Sequence, residues 1–229
     1  MPSTYISSTS DVVTSATADP FNISHTISSG TDTALVVSAG VHRSGRIMSS
    51  VTLDETGLNL ALTKFAFAVE SYEASIWYLI NPPVGTFNLR LIPSGNSRMA
   101  GTVIDFSGVD QTTPLENAQS VTSTSATSLV TPSITTGVDD ITVGRFFTNA
   151  SATNLVAGLN QTELQNANAG AGYGGCSYAD PGKPLMRWDW DNNRLCGLLG
   201  VSVKAAAGGG GGGADVRRHI IQAYKRINA

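Results

Sequence analysis

The chain has 229 residues and a formal charge of −3, and only 14% of its residues are charged, against roughly a quarter in an average soluble protein. With 24 glycines and long stretches of Ser and Thr, this composition suits strands joined by polar turns and disfavours a charge-rich helical enzyme. Two cysteines are too few for a disulfide framework, and three scattered histidines offer no zinc-ligand spacing.

In chain order, residues 1–20 read as a polar N-terminal arm. Met1 to Asp19 carries no positive cluster and no apolar run, so no secretory signal is expected, and no segment approaches the length of an apolar membrane span. Residues 21–207 read as one β-sandwich domain. Ala34–Gly40, Arg46–Leu53, Leu58–Phe67, Ser75–Ile80, Thr86–Ile92, Met99–Ser107, Ile141–Phe147, Leu185–Trp190 and Leu195–Lys204 are rich in β-branched or aromatic residues and bounded by Gly, Pro, Asn and Asp. The plainest alternation is Phe87, Leu89 and Leu91 against Thr86, Asn88 and Arg90. Asn81-Pro82-Pro83-Val84-Gly85 is a turn, because paired prolines cannot donate to a central ladder. Glu116 to Thr136 is either an edge strand or a linker. Gln165 to Tyr178, with Gly170, Gly172, Gly174 and Gly175, reads as a long loop.

Residues 208–213 are six consecutive glycines, a tether, and 214–229 read as an amphipathic helix with Asp215 as its N-cap. Val216, Ile220, Ala223, Tyr224 and Ile227 fall on one stripe at helical spacing, while Arg218, His219, Gln222, Lys225 and Arg226 cover the other side. So short a helix is marginal in water and needs a surface to lie on: the chain's own body, a neighbouring copy, a different protein or a membrane surface. The expected docking set is Val216, Ile220, Ile221, Tyr224 and Ile227, with Arg218, Lys225 and Arg226 meeting acidic groups. Arg217, Arg218, Lys225 and Arg226 against Asp215 give this segment +3, which leaves −6 on the rest of the chain. An acidic body argues against nucleic-acid binding as its main task.

Trp188 and Trp190 lie two apart on an expected strand, with Asp189 and Asp191 on its other face. Indoles beside carboxylates are what a sugar-binding platform needs, whereas paired aromatics on one strand face also serve as core, and Trp77 reads as a core anchor. Asp139-Asp140 and Asp189-x-Asp191 lack a calcium-loop spacing and read as solvated turn acids. Glu70 and Glu73 need not converge as a hydrolytic pair. No G-x-S-x-G elbow and no phosphate loop is present, although a Ser/His/Asp array is assembled in space and is not legible in order. Neither a cofactor nor a metal is expected.

Ile76-Trp77-Tyr78-Leu79-Ile80-Asn81-Pro82-Pro83-Val84-Gly85-Thr86, followed by Phe106-Ser107-Gly108-Val109-Asp110-Gln111-Thr112-Thr113-Pro114-Leu115, resembles a β-sandwich domain that recurs in bacteriophage structural proteins and bacterial surface proteins. Leu198-Leu199-Gly200-Val201-Ser202-Val203 resembles its closing strand, and the likeness spans Thr33 to Lys204, with Val156 to Tyr178 departing from it. The resemblance implies an all-β, antiparallel sandwich, jelly-roll or Ig-like, in a virion or surface setting, and implies no catalytic residue. Gly108 reads as a sharp corner, with Asp110, Thr112 and Thr113 able to bond to local amides.

These readings converge on a non-enzymatic virion protein, a capsid decoration or other head or tail accessory, assembled in the host cytoplasm. Its expected partners are the major capsid protein or neighbouring copies, with a homo-oligomer expected. The alternative is a carbohydrate- or host-receptor-binding adhesin using Trp188, Trp190, Asp189 and Asp191.

Overall fold

The computed structural model describes residues 1–42, 46–54, 58–59, 64–66, 72–149, 152–168 and 173–207. The glycine tether and the expected C-terminal helix lie outside the described residues. Every strand pairing among the described residues is antiparallel, and the strands form three sheets. The first sheet is built from β2 (Phe21–Ile27), β4 (Met48–Leu53), β5 (Leu58–Asn59) and β8 (Gly85–Pro93), in the order β2-β8-β4-β5. The middle sheet contains β1 (Thr4–Thr17), β3 (Ala34–His42), β6 (Lys64–Ala66), β7 (Tyr72–Ile80) and β9 (Ser97–Ser107), in the order β1-β9-β3-β7-β6. The third holds β10 (Leu115–Val130), β11 (Ile141–Thr148), β13 (Gln161–Asn168), β14 (Tyr173–Ala179) and β15 (Arg187–Val203), in the order β10-β15-β11-β14-β13, with β12 (Val156–Ala157) pairing the start of β15.

The sheets pack against one another as a sandwich with an added layer. In β3 the residues Leu35, Val37, Ala39 and Val41 enter the cluster facing the first sheet, while Ala34 and Val36 enter the cluster facing the third. A central strand buried on both faces reads as a continuous apolar run, which is why Ala34 to Val41 shows no alternation. β2 belongs to an outer sheet and alternates cleanly, with Phe21, Ile23, His25 and Ile27 inside and Asn22, Ser24 and Thr26 outside. A third cluster lies on the far side of the third sheet, where Leu129, Ile134, Met186, Trp188 and Trp190 close over Phe146 and Leu198.

Three expectations are corrected. The polar arm is strand β1, paired with β9 from Thr4↔Ser107 to Thr17↔Ser97. Val13 packs against the cluster facing the first sheet, while other side chains of the strand are hydroxyls that bond where apolar ones would pack. Ser10 Oγ donates to Leu164 O at 2.9 Å, and Tyr5 stacks on Tyr178 with centroids 4.8 Å apart. Gln165 to Tyr178 is not one long loop, because β13 and β14 pair from Gln161↔Ala179 to Asn168↔Tyr173. Gly174 and Gly175 make room for large side chains. A Cβ on Gly174 would lie 2.7 Å from Arg145 Nη2, and one on Gly175 would lie 2.5 Å from Trp188 Cη2. Glu116 to Thr136 contributes the edge strand β10, and the two expected final strands are one, β15.

Arg145 is 1% exposed, between the middle and third sheets. It donates to Gln165 Oε1 and, at 3.4 Å, to Ala100 O. Gln165 Nε2 in turn donates to Asp11 O at 3.0 Å and Gly101 O at 3.1 Å. Burial pulls Arg145 down to about 10, so it remains a cation at neutral pH. The corner at Gly108 is as expected, with φ at +67°, and Asp110 Oδ1 accepts from the amides of Thr112 (2.8 Å) and Thr113 (2.9 Å).

Candidate functional site

The far side of the third sheet carries a groove of about 620 Å³. Its apolar wall is Val130, Ala157, Leu159, Pro184 and Leu185, and its polar rim is Asn160, Gln161, Lys183, Arg187 and Asp189. Local pairing builds it. Val156↔Asp189 and Ala157↔Trp188 lay β12 on the start of β15, and Gly158 N donates to Arg187 O at 2.9 Å. The Gln161 amide extends this ladder, since its Nε2 donates to Arg187 O at 2.9 Å and its Oε1 accepts from Arg187 N at 3.2 Å. Arg187 and Asp189, two apart, share a strand face and form a forked pair, with Nε to Oδ2 at 2.8 Å and Nη2 to Oδ1 at 2.7 Å. Large apolar side chains face solvent here, with Leu159 93%, Val156 51% and Leu185 45% exposed. Such clustering, unlike a scattered exposed leucine, marks a contact surface.

Trp188 and Trp190 lie in the core, 0% and 4% exposed, their ring centroids 5.7 and 4.9 Å from that of Phe146. Their indole N–H groups have no hydrogen-bond partner among the described residues, so packing holds them. Neither ring presents a face to a sugar, which corrects the platform reading and removes the aromatic basis of the adhesin alternative. Asp189 reaches the groove. Asp191 instead holds the loop at Thr153 and Asn154, accepting from Asn154 Nδ2 while its own amide donates to Thr153 O at 3.0 Å. The docking residues Val216, Arg218, Ile220, Ile221, Tyr224, Lys225, Arg226 and Ile227 lie outside the described residues.

Other carboxylates serve the fold. Asp140 is not a solvated turn acid: it is buried and accepts from Gly137 N, Ser202 Oγ and Ala205 N at 2.6, 3.2 and 2.8 Å. Glu73 is buried, and Glu70 lies outside the described residues. Sequence reading missed one array, Thr9–His25–Asp105. Thr9 Oγ1 is 2.9 Å from His25 Nδ1, and His25 Nε2 is 3.3 Å from Asp105 Oδ1. Asp105 Oδ2 also accepts from Ser28 N at 3.3 Å and Ser7 Oγ at 3.4 Å. The order hydroxyl, imidazole, carboxylate is that of a nucleophilic relay, yet Thr9 sits in a ladder opposite Val103, and the array joins β1, β2 and β9 across the first and middle sheets. It acts as a cross-sheet tie, away from the groove. Only the alternation of β2, which points His25 inward, hints at it in the sequence.

Cys176 and Cys196 are both free and buried. Cys176 faces the middle sheet and Cys196 the far side, so the third sheet separates them. Burial pushes both thiols up, Cys196 to about 11. Among the described residues no three His, Cys, Asp or Glu side chains gather to hold a metal ion, and no helix is long and apolar enough to cross a membrane. Comparison with protein-family models, with curated proteins and with solved structures finds no match.

Proposed function

We propose that the protein is a non-enzymatic structural component of a bacteriophage particle, a capsid decoration or other head or tail accessory protein, that works by presenting complementary surface to other virion subunits. The observation that carries this reading is the groove, where Leu159 and Leu185 face solvent beside a forked Arg187–Asp189 pair, with the exposed Val156 paired to Asp189 on the adjoining strand, on a block of three packed sheets. Apolar anchors inside a charged rim suit contact between macromolecules. Three further features agree with it: the resemblance of Ile76 to Leu115 to sandwich domains of phage structural proteins, the tethered basic segment, and two free cysteines suited to assembly in a reducing cytoplasm. Within this reading the stack is a jelly-roll or Ig-like sandwich extended by a third sheet, and copies associate with one another or with the major capsid protein.

The test is quantitative mass spectrometry and immunogold labelling of particles purified from the source lysate. The reading expects the chain at fixed stoichiometry in particles, and expects deletion of Gly208 to Ala229 to release it. Absence from particles rejects the reading, and unchanged incorporation of the deletion variant rejects the anchoring role of the segment.

A further inference from the structure

The groove and the C-terminal segment are complementary in chemistry and in reach. The groove offers Leu159 and Leu185 to solvent, with Val130, Ala157 and Pro184 behind them. The segment carries Val216, Ile220, Tyr224 and Ile227 at helical spacing, a stripe that needs an apolar surface before so short a helix is stable. Within the groove lining Asp189 is paired with Arg187, and the exposed carboxylate of Asp180 lies on the turn beside Lys183. The segment carries +3 and the rest of the chain −6.

Register sets the distance. Ser202 pairs Thr142, Thr142 pairs Ala179, and Ala179 pairs Gln161, a groove residue. Three strand spacings put the rim roughly 14 Å across the sheet from the end of β15, and the far face adds about one sheet spacing of roughly 10 Å. From there the chain turns toward the middle sheet, with Ala206 N donating to Gly108 O at 2.7 Å. Six glycines span roughly 20 Å when extended, against a direct separation of roughly 17 Å from those two spacings, so the segment has the length to reach its own groove. We infer that the groove is the receptor for this chain's own C-terminal segment, Asp215 to Ala229. This rests on the assembly reading above and names the surface through which the segment engages a neighbour when copies crowd together.

Hydrogen–deuterium exchange on the purified full chain tests it, using peptides that cover 156–161, 183–187 and 214–229. Amides of the segment should exchange about tenfold more slowly than in the isolated 214–229 peptide. The pair Ile220→Asp and Ile227→Asp should abolish that protection and speed exchange at the groove. Leu159→Asp with Leu185→Asp should do the same from the groove side, and the milder Leu159→Ser with Leu185→Ser serves if the aspartates perturb folding. Protection independent of concentration places the segment in its own groove, and protection that rises with concentration places it in a second copy; either supports the inference. Segment amides that exchange as in the free peptide, or protection that survives both groove pairs, overturn it. In that outcome particle incorporation through Gly208 to Ala229 still stands or falls on its own measurement.

Discussion

Gly175→Ala isolates one packing contact. Gly175 lies in β14 between Phe146 and Asn166, and its φ is not in the left-handed region, so alanine suits the backbone. The obstacle is Trp188, since the new Cβ would lie 2.5, 2.7 and 2.8 Å from its Cη2, Cζ2 and Cζ3. Three atoms of one rigid ring fall below contact distance, and the ring is fully buried against Phe146. Overpacking of this kind costs about 1 to 3 kcal/mol, and a ring that cannot rotate away belongs at the upper end, about 3 kcal/mol. In a chain of this size each kcal/mol lowers Tm by roughly 2 to 4 °C, so a fall of roughly 6 to 12 °C is expected by calorimetry. Trp188→Leu alone leaves a cavity and costs about 2 to 5 kcal/mol. Combined with Gly175→Ala it should cost about 2 kcal/mol less than the sum, because the methyl then occupies vacated space. A Gly175→Ala protein melting within about 2 °C of the parent, or strictly additive costs, would refute the close-approach explanation of this glycine.

Three further outcomes are expected. His25→Ala removes a buried imidazole together with its hydrogen bond to Thr9 Oγ1 and should destabilise the chain by about 2 to 3 kcal/mol in urea titrations, whereas Arg145→Met, which removes a charge that burial disfavours, should stay within about 1 kcal/mol of the parent. Hydrogen bonds from the amides of Thr113 and Thr112 hold Asp110 below its ordinary value, so its contribution is complete above about pH 4 and is lost as pH falls through the lowered value. Asp110→Asn should flatten that acid limb of the stability curve, and an unchanged limb would count against the turn. Cys176 and Cys196 should resist an aromatic disulfide reagent until denaturant is added and should form no internal disulfide on oxidation, which intact mass distinguishes.

Several features were legible before the fold. Strands whose two faces differ, such as β8 with Leu89 and Leu91 inward, announce themselves by alternation, and the apolar run of β3 and the corner at Gly108 are also local signals. β1 and the β13–β14 hairpin were not legible, because their side chains answer to distant partners. Ser10 bonds to Leu164, Gly174 yields to Arg145 and Gly175 to Trp188, so hydroxyls and glycines there mean packing, whereas in a linear reading they mean arm and loop. The candidate site divides in the same way. The tether and the amphipathic stripe of residues 214–229 are properties of order alone, since spacing along a helix depends on nothing else. The burial of Trp188 and Trp190, the joining of Thr9, His25 and Asp105, and the groove at Leu159 and Leu185 were decided only by the tertiary structure. Burial on an antiparallel strand depends on which of its faces another layer covers, and no stretch of sequence carries that information by itself.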